Sequence, residues 1–429
     1  MHVAGAILFL SCAAASYLVS LAVMAEPASV QDRTGEMNAI LDSALPQGAD
    51  ATPLLVEAHA IANGLRDGKA LSMGLLLRGE WGDPRLEDER ALWLSYADEV
   101  IPLIRSAAQG GAIRNPFVLV EGRVTTQADA NDALYWIMYN VVLIGLRESY
   151  ENADWERHFE WVDIVSNLIR MSADRPAIMD VMLARAMCLS LYREIRTQAI
   201  EGRLPESACH RLIEHLQTMD RHLPDFATVG AMHRLEMHTS FDRWFAPSGL
   251  AVLPALMFEQ PWHEDPPRAI LPRLRNVRAL LTFRRADAER ELDKRIADLV
   301  ESVRSGDQAP QPEQYERWGS VVISGLDGLP SVARWWRWPE TDRIGTVLML
   351  RLAAYHAAHG RWPETLADAA PEEEMIDPQS GKPFLYELTP NDRRGAPFRL
   401  AAAPSPEHGR GKWPFSHPRE GLGNLYELR

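Results

Sequence analysis

The sequence is poor in cysteine and in positive charge, and it lacks the common catalytic motifs. Three cysteines in 429 residues are too few for a disulfide-stapled fold, and no CxxC pair offers a thiolate zinc site. The 59 acidic against 45 basic residues give a net charge of −14, which argues against general nucleic-acid binding because phosphates require a basic surface. HEXXH, GxSxG, Walker A, GxGxxG and EF-hand patterns are absent from the sequence. We therefore assign no catalytic, metal-binding or cofactor-binding residue and expect no cofactor.

What the sequence does contain is an ordinary folded composition, 46% hydrophobic and 24% charged, after an apolar start. Val3–Ala25 is a run of 23 uncharged residues, long enough to cross a bilayer as a helix. It also resembles a signal peptide, because Val23-Met24-Ala25 places small residues before a cleavage point. A retained anchor and a segment released after Ala25 both predict export, to the periplasm or the outer face of the cytoplasmic membrane. Membrane attachment, if retained, is expected through residues 3–25.

Composition and periodicity then divide the chain into a spacer, a helical body and a tail. Residues 26–52, rich in Ala, Pro, Gly and Asp, predict a mobile spacer with one short helix near Glu36–Ala44. Residues 53–339 carry apolar residues at three- and four-residue spacing, which predicts an irregular array of antiparallel helices. No convincing period-two alternation is visible between residues 53 and 245, so the bulk of this stretch is expected to be α-helical. The predicted fold is mainly α, with a small α+β module at residues 340–429.

Caps, breakers and helical spacing predict seven helices in the first part of the body. They run from Pro53 to near Asp67, from Asp83 to near Gly110, and over Asp129–Tyr150, Asp154–Met171, Asp174–Gly202, Pro205–His222 and Asp225–Phe245. Residues 246–268 hold clustered prolines and glycines and are predicted to be irregular. One long helix is expected at about 270–304, with a face dense in Arg and Glu. Such a face suits a membrane surface, but its interleaved acidic residues favour contact with water.

Three sets of residues in the body and its flank are candidates for chemistry or binding. Cys188 and Cys209 remain after export and could form a disulfide between adjacent helices, although a lone cysteine in a helical pattern is usually a buried apolar residue. The second set is a histidine-rich stretch with one glutamate: His210, His215, His222, His233, Glu236 and His238. The third set is rich in tryptophan: Trp318, Trp335, Trp336, Trp338 and Trp362.

The second and third sets each allow two interpretations. His233 and Glu236, three residues apart, share a helical face, a spacing that metal sites in helix bundles use, but such residues are more often surface or helix-end histidines. The tryptophans could stack on envelope glycans, but large aromatic residues more often pack at a domain junction. We expect the Trp-rich segment 318–338 to pack the tail on the array.

The tail predicts a helix and a small meander. The helix covers Ile344–His359 and ends at Gly360, and Pro363 opens a short helix over Glu364–Ala369. A turn follows at Asp377–Gly381. Strands are expected at Pro383–Leu388 and Pro397–Ala401, with a third at Asn424–Leu428.

The tail resembles the globular part of the major pseudopilins of bacterial type II secretion systems. The resemblance rests on LRLAAYHAAHGRWPETLAD followed by IDPQSGKPFLYEL, within roughly residues 345–390. The matching positions are Tyr355, Gly360, Trp362, Pro363, Asp377, Pro378, Gly381, Pro383 and Tyr386. The resemblance implies an α+β module, and some family members bind calcium in a late loop, where Asp392 is the nearest candidate here. The pseudopilin leader, and a membrane helix running directly into the module, do not appear in this sequence, so polymerisation does not carry over.

The layout of an exported N-terminus, a helical array and this tail also resembles uncharacterised bacterial envelope proteins. Residues 340–429 hold 13 acidic and 11 basic residues, so nearly all of the negative charge belongs to the rest of the chain. We expect an exported, non-enzymatic scaffold or binding protein of the cell envelope that docks a protein partner on an acidic helical surface. The alternative is an envelope glycan-binding protein or a hydrolase that uses the Trp-rich or His/Glu residues. A deep cleft with convergent side chains would favour the enzyme, and a broad groove the scaffold.

Overall fold

A computed structural model describes residues 27–65, 83–128, 130–219, 225–249, 284–305, 328–378, 380–389, 397–402 and 413–414. Within these ranges the fold is mainly α, with eleven α-helices and two small antiparallel sheets. The predicted fold class, a mainly α protein with a small C-terminal α+β module, is confirmed. No helix within these ranges is long and apolar enough to cross a membrane, and Val3–Ala25 lies outside them.

The helices follow the predicted order closely. Their bounds are α1 Thr34–Ala44, α2 Thr52–Leu65, α3 Glu87–Ala108, α4 Ala130–Ile137, α5 Leu143–Glu151, α6 Trp155–Ala173, α7 Ile178–Glu201, α8 Glu206–Met219, α9 Phe226–Trp244, α10 Arg285–Ser305 and α11 Gly328–His359. The capping residues explain two of these limits. Asp154 accepts a hydrogen bond from the backbone N–H of Arg157 at the start of α6, and Gly202 ends α7 with φ +70°.

The helix predicted over Asp129–Tyr150 is interrupted by a π-helical segment, Met138–Val142, between α4 and α5. The buried indole N–H of Trp93 on α3 donates to the carbonyl oxygen of Val141 in this segment, at 3.1 Å. Met138 and Val141 are fully buried in the main apolar cluster, which also takes in helices from α2 to α8 and α11. The irregular turn therefore lies in the packed core, where an indole supplies a hydrogen bond to its backbone.

A β-hairpin lies inside the body, within the stretch 53–245 where the sequence shows no convincing period-two alternation and predicts mostly helix. Its strands are β1 Phe117–Val120 and β2 Arg123–Thr126, which pair antiparallel with Val120 opposite Arg123. Glu121 and Gly122 both have positive φ, 50° and 73°, as a two-residue turn between twisted strands requires. Four-residue strands are too short to show a period-two pattern, and the turn dipeptide is the stronger local signal.

The segment predicted as a spacer is packed into the body where the structure describes it. Its short helix is confirmed as α1, which begins two residues before the predicted start. Met37 and Leu41 on α1 are buried in a second apolar cluster with Phe117 and Met232. The N–H of Ala28 also donates to the carbonyl oxygen of Phe245, at 2.9 Å. A mobile spacer is therefore the wrong description of this segment, because its alternating small and polar residues conceal an amphipathic helix.

The tail is joined to the body by a helix that crosses the predicted boundary at residues 339 and 340. This helix, α11, begins at Gly328 and packs against α7 and α8. A buried ion pair at 2.7 Å joins Arg196 on α7 to Asp342 on α11. After α11 the chain forms 3₁₀ turns, including one at Leu366–Asp368 where a short α-helix was predicted, and then a three-stranded sheet. Its strands are β3 Leu385–Leu388, β4 Phe398–Ala402 and β5 Trp413–Pro414.

Residues of the two tail motifs contact each other or the same helix. The hydroxyl of Tyr386 donates to the carbonyl oxygen of Pro363 at 2.8 Å, which ties β3 to the turn after α11. Asp377 is fully buried and accepts a hydrogen bond from the Thr341 hydroxyl at 2.6 Å. The predicted turn is also present, with Gly381 at φ +63°. The paired motifs thus have a structural role, since they fix the sheet to α11.

Several predictions fall outside the described residues. They are the irregular segment from residue 250 onward, the long helix before Arg284, the third strand at Asn424–Leu428, the loop of Asp392 and His222. The side chains of Trp318, Trp335, Trp336 and Trp338 also lie outside the description.

Candidate functional site

A groove of about 800 Å³ lies between α1, α9 and α10. Its lining is mostly small or aliphatic: Ile40, Ala227, Gly230, Ala231, Leu235, Ile296, Ala297 and Val300. Charged and polar side chains complete it: Arg33, Glu36, Arg234, His238 and Asp293. On α9 the lining extends from Ala227 to His238, a span of roughly 16 Å at the α-helical rise per residue.

Small residues set the depth of this groove. A Cβ atom added to Gly230 on α9 would lie 2.7 Å from the Cγ2 atom of Ile296 on α10, so the glycine allows these two helices to approach closely. Ala231 and Ala297 are exposed and carry only a methyl group each. A partner could therefore bring apolar side chains close to the backbones of α9 and α10.

Three of the charged side chains that line the groove, those of Arg33, Arg234 and Asp293, take part in ion pairs. Arg234 on α9 contacts Asp293 on α10 at 2.8 Å, which joins the two helices across the groove. Arg33 before α1 contacts Asp242 on α9 at 2.5 Å, and Arg285 on α10 contacts the same carboxylate at 2.6 Å. The cluster around Asp242 therefore fixes all three elements that form the groove.

The ion pairs and hydrogen bonds of Asp242 lower the pKa of its carboxyl group. Its side chain is only 2% exposed, and burial by itself would raise the pKa of the carboxyl group. Hydrogen bonds from Arg33, from the backbone N–H of Gln31 and from Arg285 outweigh burial and hold this pKa below its ordinary value. The carboxylate is therefore ionised in the native protein over the neutral and mildly acidic range.

Of the described residues in the histidine-rich candidate set, His238 lines the groove. Its Nδ1 atom lies 3.4 Å from a carboxylate oxygen of Glu289 on α10. Burial lowers its pKa below the ordinary value, against the opposing effect of Glu289. The ring therefore serves as a neutral, partly buried wall of the groove near neutral pH.

The other predicted histidines do not converge on a shared site. His210 is half-exposed and lies 3.6 Å from Glu206 of its own helix. His233 is buried, and its Nδ1 atom lies 3.5 Å from Glu236, so this predicted pair does meet. Among the described residues, no group of three or more His, Cys, Asp or Glu side chains is arranged to hold a metal ion.

His215 lies apart from the groove, in a smaller cavity of about 220 Å³ between α6, α7 and α8. Its Nε2 atom is 2.5 Å from the Ser166 hydroxyl oxygen, and its Nδ1 atom is 3.5 Å from a carboxylate oxygen of Asp163. The sequence singled out His215 but gave no indication of Ser166 or Asp163. These two lie on α6, 49 residues or more before the histidine, and no local motif links them to it.

The two body cysteines are free and buried, so the disulfide alternative is not realised. Cys209 is fully buried, and burial raises its pKa to about 12. Cys188 contributes to the lining of the smaller cavity. Both residues fit the other interpretation, that of small apolar side chains within packed helices.

Trp362, the one tryptophan of the predicted set with a described side chain, packs inside the tail. Its ring stacks on His356, with ring centroids 4.4 Å apart and planes at 20°. It also contacts the ring of Phe398 on β4, at 4.8 Å. This tryptophan is a packing residue between α11 and the sheet.

Comparison with known proteins found no match: no family model, no curated protein and no solved structure matches this chain.

Proposed function

We propose that this chain is an exported docking protein of the bacterial cell envelope, and that it binds a helical segment of a protein partner in the groove between α1, α9 and α10. The observation that carries the proposal is the combination of a mostly apolar lining with an ion pair, Arg234 with Asp293, that spans the groove. Such a surface offers shape and apolar area rather than reactive groups. It fits a binding role better than a catalytic one.

The dimensions of the groove favour a helix as its occupant. A span of roughly 16 Å along α9 matches about three helical turns, enough for the apolar face of one short amphipathic helix. Exposed Ala231 and Ala297 leave room for larger apolar side chains on the partner. Arg234 and Asp293 neutralise each other in the rim, so apolar contact rather than charge is expected to supply most of the affinity.

Export and envelope location belong to the same proposal and rest on the apolar run Val3–Ala25. As part of the same proposal, the tail module, which resembles pseudopilin globular regions, orients the array. Its buried link to the body through Arg196 and Asp342 supports this role, because a rigid joint holds the groove in a fixed direction relative to the tail. The negative charge of the body then discourages nonspecific association with nucleic acids and with anionic surfaces.

The test begins with a photoreactive amino acid placed at Ala231 in cells that express the chain. The partner captured there is identified by mass spectrometry, purified, and titrated calorimetrically with the wild-type protein and with Ala231→Arg. Because the arginine fills the groove from an exposed position, we expect the affinity to fall by roughly tenfold or more. The matched control is Ala91→Arg, at an exposed alanine on α3 outside the groove.

Two results would contradict the docking proposal. One is a partner that binds Ala231→Arg and wild type equally well. The other is an affinity that collapses when salt is raised, since this would assign recognition to the acidic surface of the body instead of the apolar groove.

A further inference from the structure

The smaller cavity contains a serine, a histidine and an aspartate in a connected order. The Ser166 hydroxyl oxygen lies 2.5 Å from Nε2 of His215, and Nδ1 of the same ring lies 3.5 Å from Asp163. Ser166 and Asp163 are three residues apart on α6, so one helical face presents both of them to His215 on α8. A nucleophile beside a base that a third group orients is the arrangement that activates a hydroxyl.

The position of Asp163 selects the useful tautomer of His215. The hydroxyl proton of Ser166 can go to Nε2, to the carbonyl oxygen of Val162 at 2.8 Å, or more weakly to the sulfur of Met219 at 3.3 Å. Donation to Val162 would place the ring proton on Nε2 and turn the lone pair of Nδ1 toward the Asp163 carboxylate, which is repulsive. Donation to Nε2 instead leaves the ring proton on Nδ1, facing the carboxylate. The second state is the one in which the histidine can accept the serine proton.

The protonation state of His215 is consistent with this role. Burial lowers the pKa of His215 below its ordinary value, although Asp163 opposes that change. A neutral imidazole at neutral pH is available as a base. Arg170, one turn after Ser166 on the same helix, also lines the cavity. It donates one hydrogen bond to Asp174 at 3.2 Å, and a guanidinium group has further N–H groups that can face a developing negative charge.

We propose that Ser166, His215 and Asp163 form a hydrolytic site for esters of small acyl groups. Ser166 Oγ attacks the acyl carbon while its proton passes to Nε2 of His215, and Asp163 stabilises the imidazolium. The bond from the acyl carbon to the leaving oxygen breaks, and His215 returns the proton to the departing alcohol. Water then attacks the acyl-serine with its proton taken by His215, the bond to Ser166 Oγ breaks, and the proton returns to Ser166. The net reaction converts an ester and water into an acid and an alcohol.

The cavity limits the size of the acyl group. Its volume of about 220 Å³ accommodates a short chain, and Ile169, Ala173, Cys188 and Met219 supply an apolar lining. Asn167 and Thr218 place polar groups in the same cavity. We therefore expect hydrolysis of short acyl esters and not of long-chain lipid esters.

The experiment measures hydrolysis of p-nitrophenyl butyrate and p-nitrophenyl palmitate by the purified folded chain. Ser166→Ala is expected to lower the butyrate rate by roughly 100-fold or more, and His215→Gln by a similar factor. The matched control is Ser190→Ala. Ser190 also bonds a carbonyl oxygen one turn earlier on its helix and contacts a side chain, the Tyr139 hydroxyl at 2.6 Å, but no histidine. Its loss is expected to leave the rate unchanged.

A second readout locates the nucleophile directly. A fluorophosphonate probe is incubated with the protein, and the modified peptide is identified by mass spectrometry. Modification of Ser166 in the wild type, and its loss in His215→Gln, would support the proposal. Three outcomes would overturn it: no butyrate hydrolysis with no labelling, a rate that Ser166→Ala does not change, or a probe attached to another residue. A palmitate rate equal to the butyrate rate would overturn the proposed substrate class.

Discussion

The groove between α1, α9 and α10 and the smaller cavity between α6, α7 and α8 are built from similar residue types in opposite ways. In the groove Arg234 and Asp293 pair with each other, and most of the lining is apolar. In the smaller cavity, which is partly open to solvent, Ser166 and His215 meet with the exposed Asp163 beside them. Satisfied charges make a surface for contact, whereas a base directed at a hydroxyl makes a site for proton transfer. The groove and the smaller cavity differ in how their polar and charged side chains are paired, not in which residue types they contain.

The largest effect is expected from Asp242→Ala, which would break the groove and spare the smaller cavity. The substitution leaves Arg33 and Arg285 without their shared carboxylate, and removing one partner from a buried ionic cluster costs about 3–5 kcal/mol. Urea unfolding of the folded protein measures this cost. The control is Glu301→Ala in the exposed pair with Arg304 on α10, where a loss of at most about 1 kcal/mol is expected. Equal losses in the two variants would contradict the role given to Asp242.

Lowering the pH is expected to destabilise α6, which lines the smaller cavity, before it destabilises the ion pairs of Asp242 beside the groove. His158 on α6 is fully buried, and burial lowers its pKa from 6.5 to about 4, partly opposed by a backbone contact with Leu146. Between these two pH values the unfolded chain binds a proton that the native protein does not. The unfolding free energy therefore decreases, by up to roughly 3 kcal/mol, as the pH is lowered from 6.5 to about 4. Asp242, whose pKa is lowered, contributes stability that persists until the pH drops below its ordinary value of 3.8.

The measurement is the urea unfolding free energy at pH 7 and pH 4.5 for wild type and His158→Gln. The variant should be less stable at pH 7 but should lose much of the dependence on pH. His210→Gln, at a half-exposed histidine on α8, should keep the wild-type dependence. An unaltered pH dependence in His158→Gln would show that another group is responsible.

The smallest effects are expected from adding one methyl group at glycines of three helices, α5, α9 and α1. At Gly145 on α5 a Cβ would overlap the buried indole ring of Trp161 on α6, which should cost about 1–3 kcal/mol. At Gly230 the neighbour is the Cγ2 methyl group of the partly buried Ile296 on α10, which branches from Cβ and has little rotamer freedom in a helix. The two helices must move apart slightly, so the cost should be about 1 kcal/mol, less than at Gly145, where the overlap with a ring is closer. At Gly35 on α1 nothing lies within 4 Å, and alanine should stabilise the helix by up to about 1 kcal/mol. Any other order of the three thermal midpoints would contradict these packing assignments.

Most helices could be predicted because their limits depend on local chemistry. Asp154 caps α6 and Gly202 ends α7, and both signals are readable from a few neighbouring residues. The hairpin at residues 117–126 was missed because its strands are short and its turn matters more than its alternation. The packing of α1 was missed because it depends on Phe117 and Met232, which lie far away in the sequence.

The candidate sites were less predictable, because they also depend on contacts between residues that lie far apart in the sequence. His215 and His238 were recognised as candidates, but their partners lie on other helices: Ser166 on α6 for His215 of α8, and Glu289 on α10 for His238 of α9. Only the tertiary packing of these helices brings the side chains together. The sequence left a shared histidine site as one alternative, with surface or helix-end histidines favoured, and the described histidines of the set lie at separate places. Pairing of a rim charge, such as Arg33 with Asp242 across 209 residues, leaves no local pattern.

The most direct test of the central claim is to assay both functions on the same two purified variants, Ser166→Ala and Ala231→Arg. If the two cavities have separate roles, Ser166→Ala loses ester hydrolysis and keeps wild-type affinity for the partner captured at Ala231. Ala231→Arg then loses that affinity and hydrolyses p-nitrophenyl butyrate at the wild-type rate. Folded variants that lose both functions together, or neither, would contradict the division between a docking groove and a catalytic cavity.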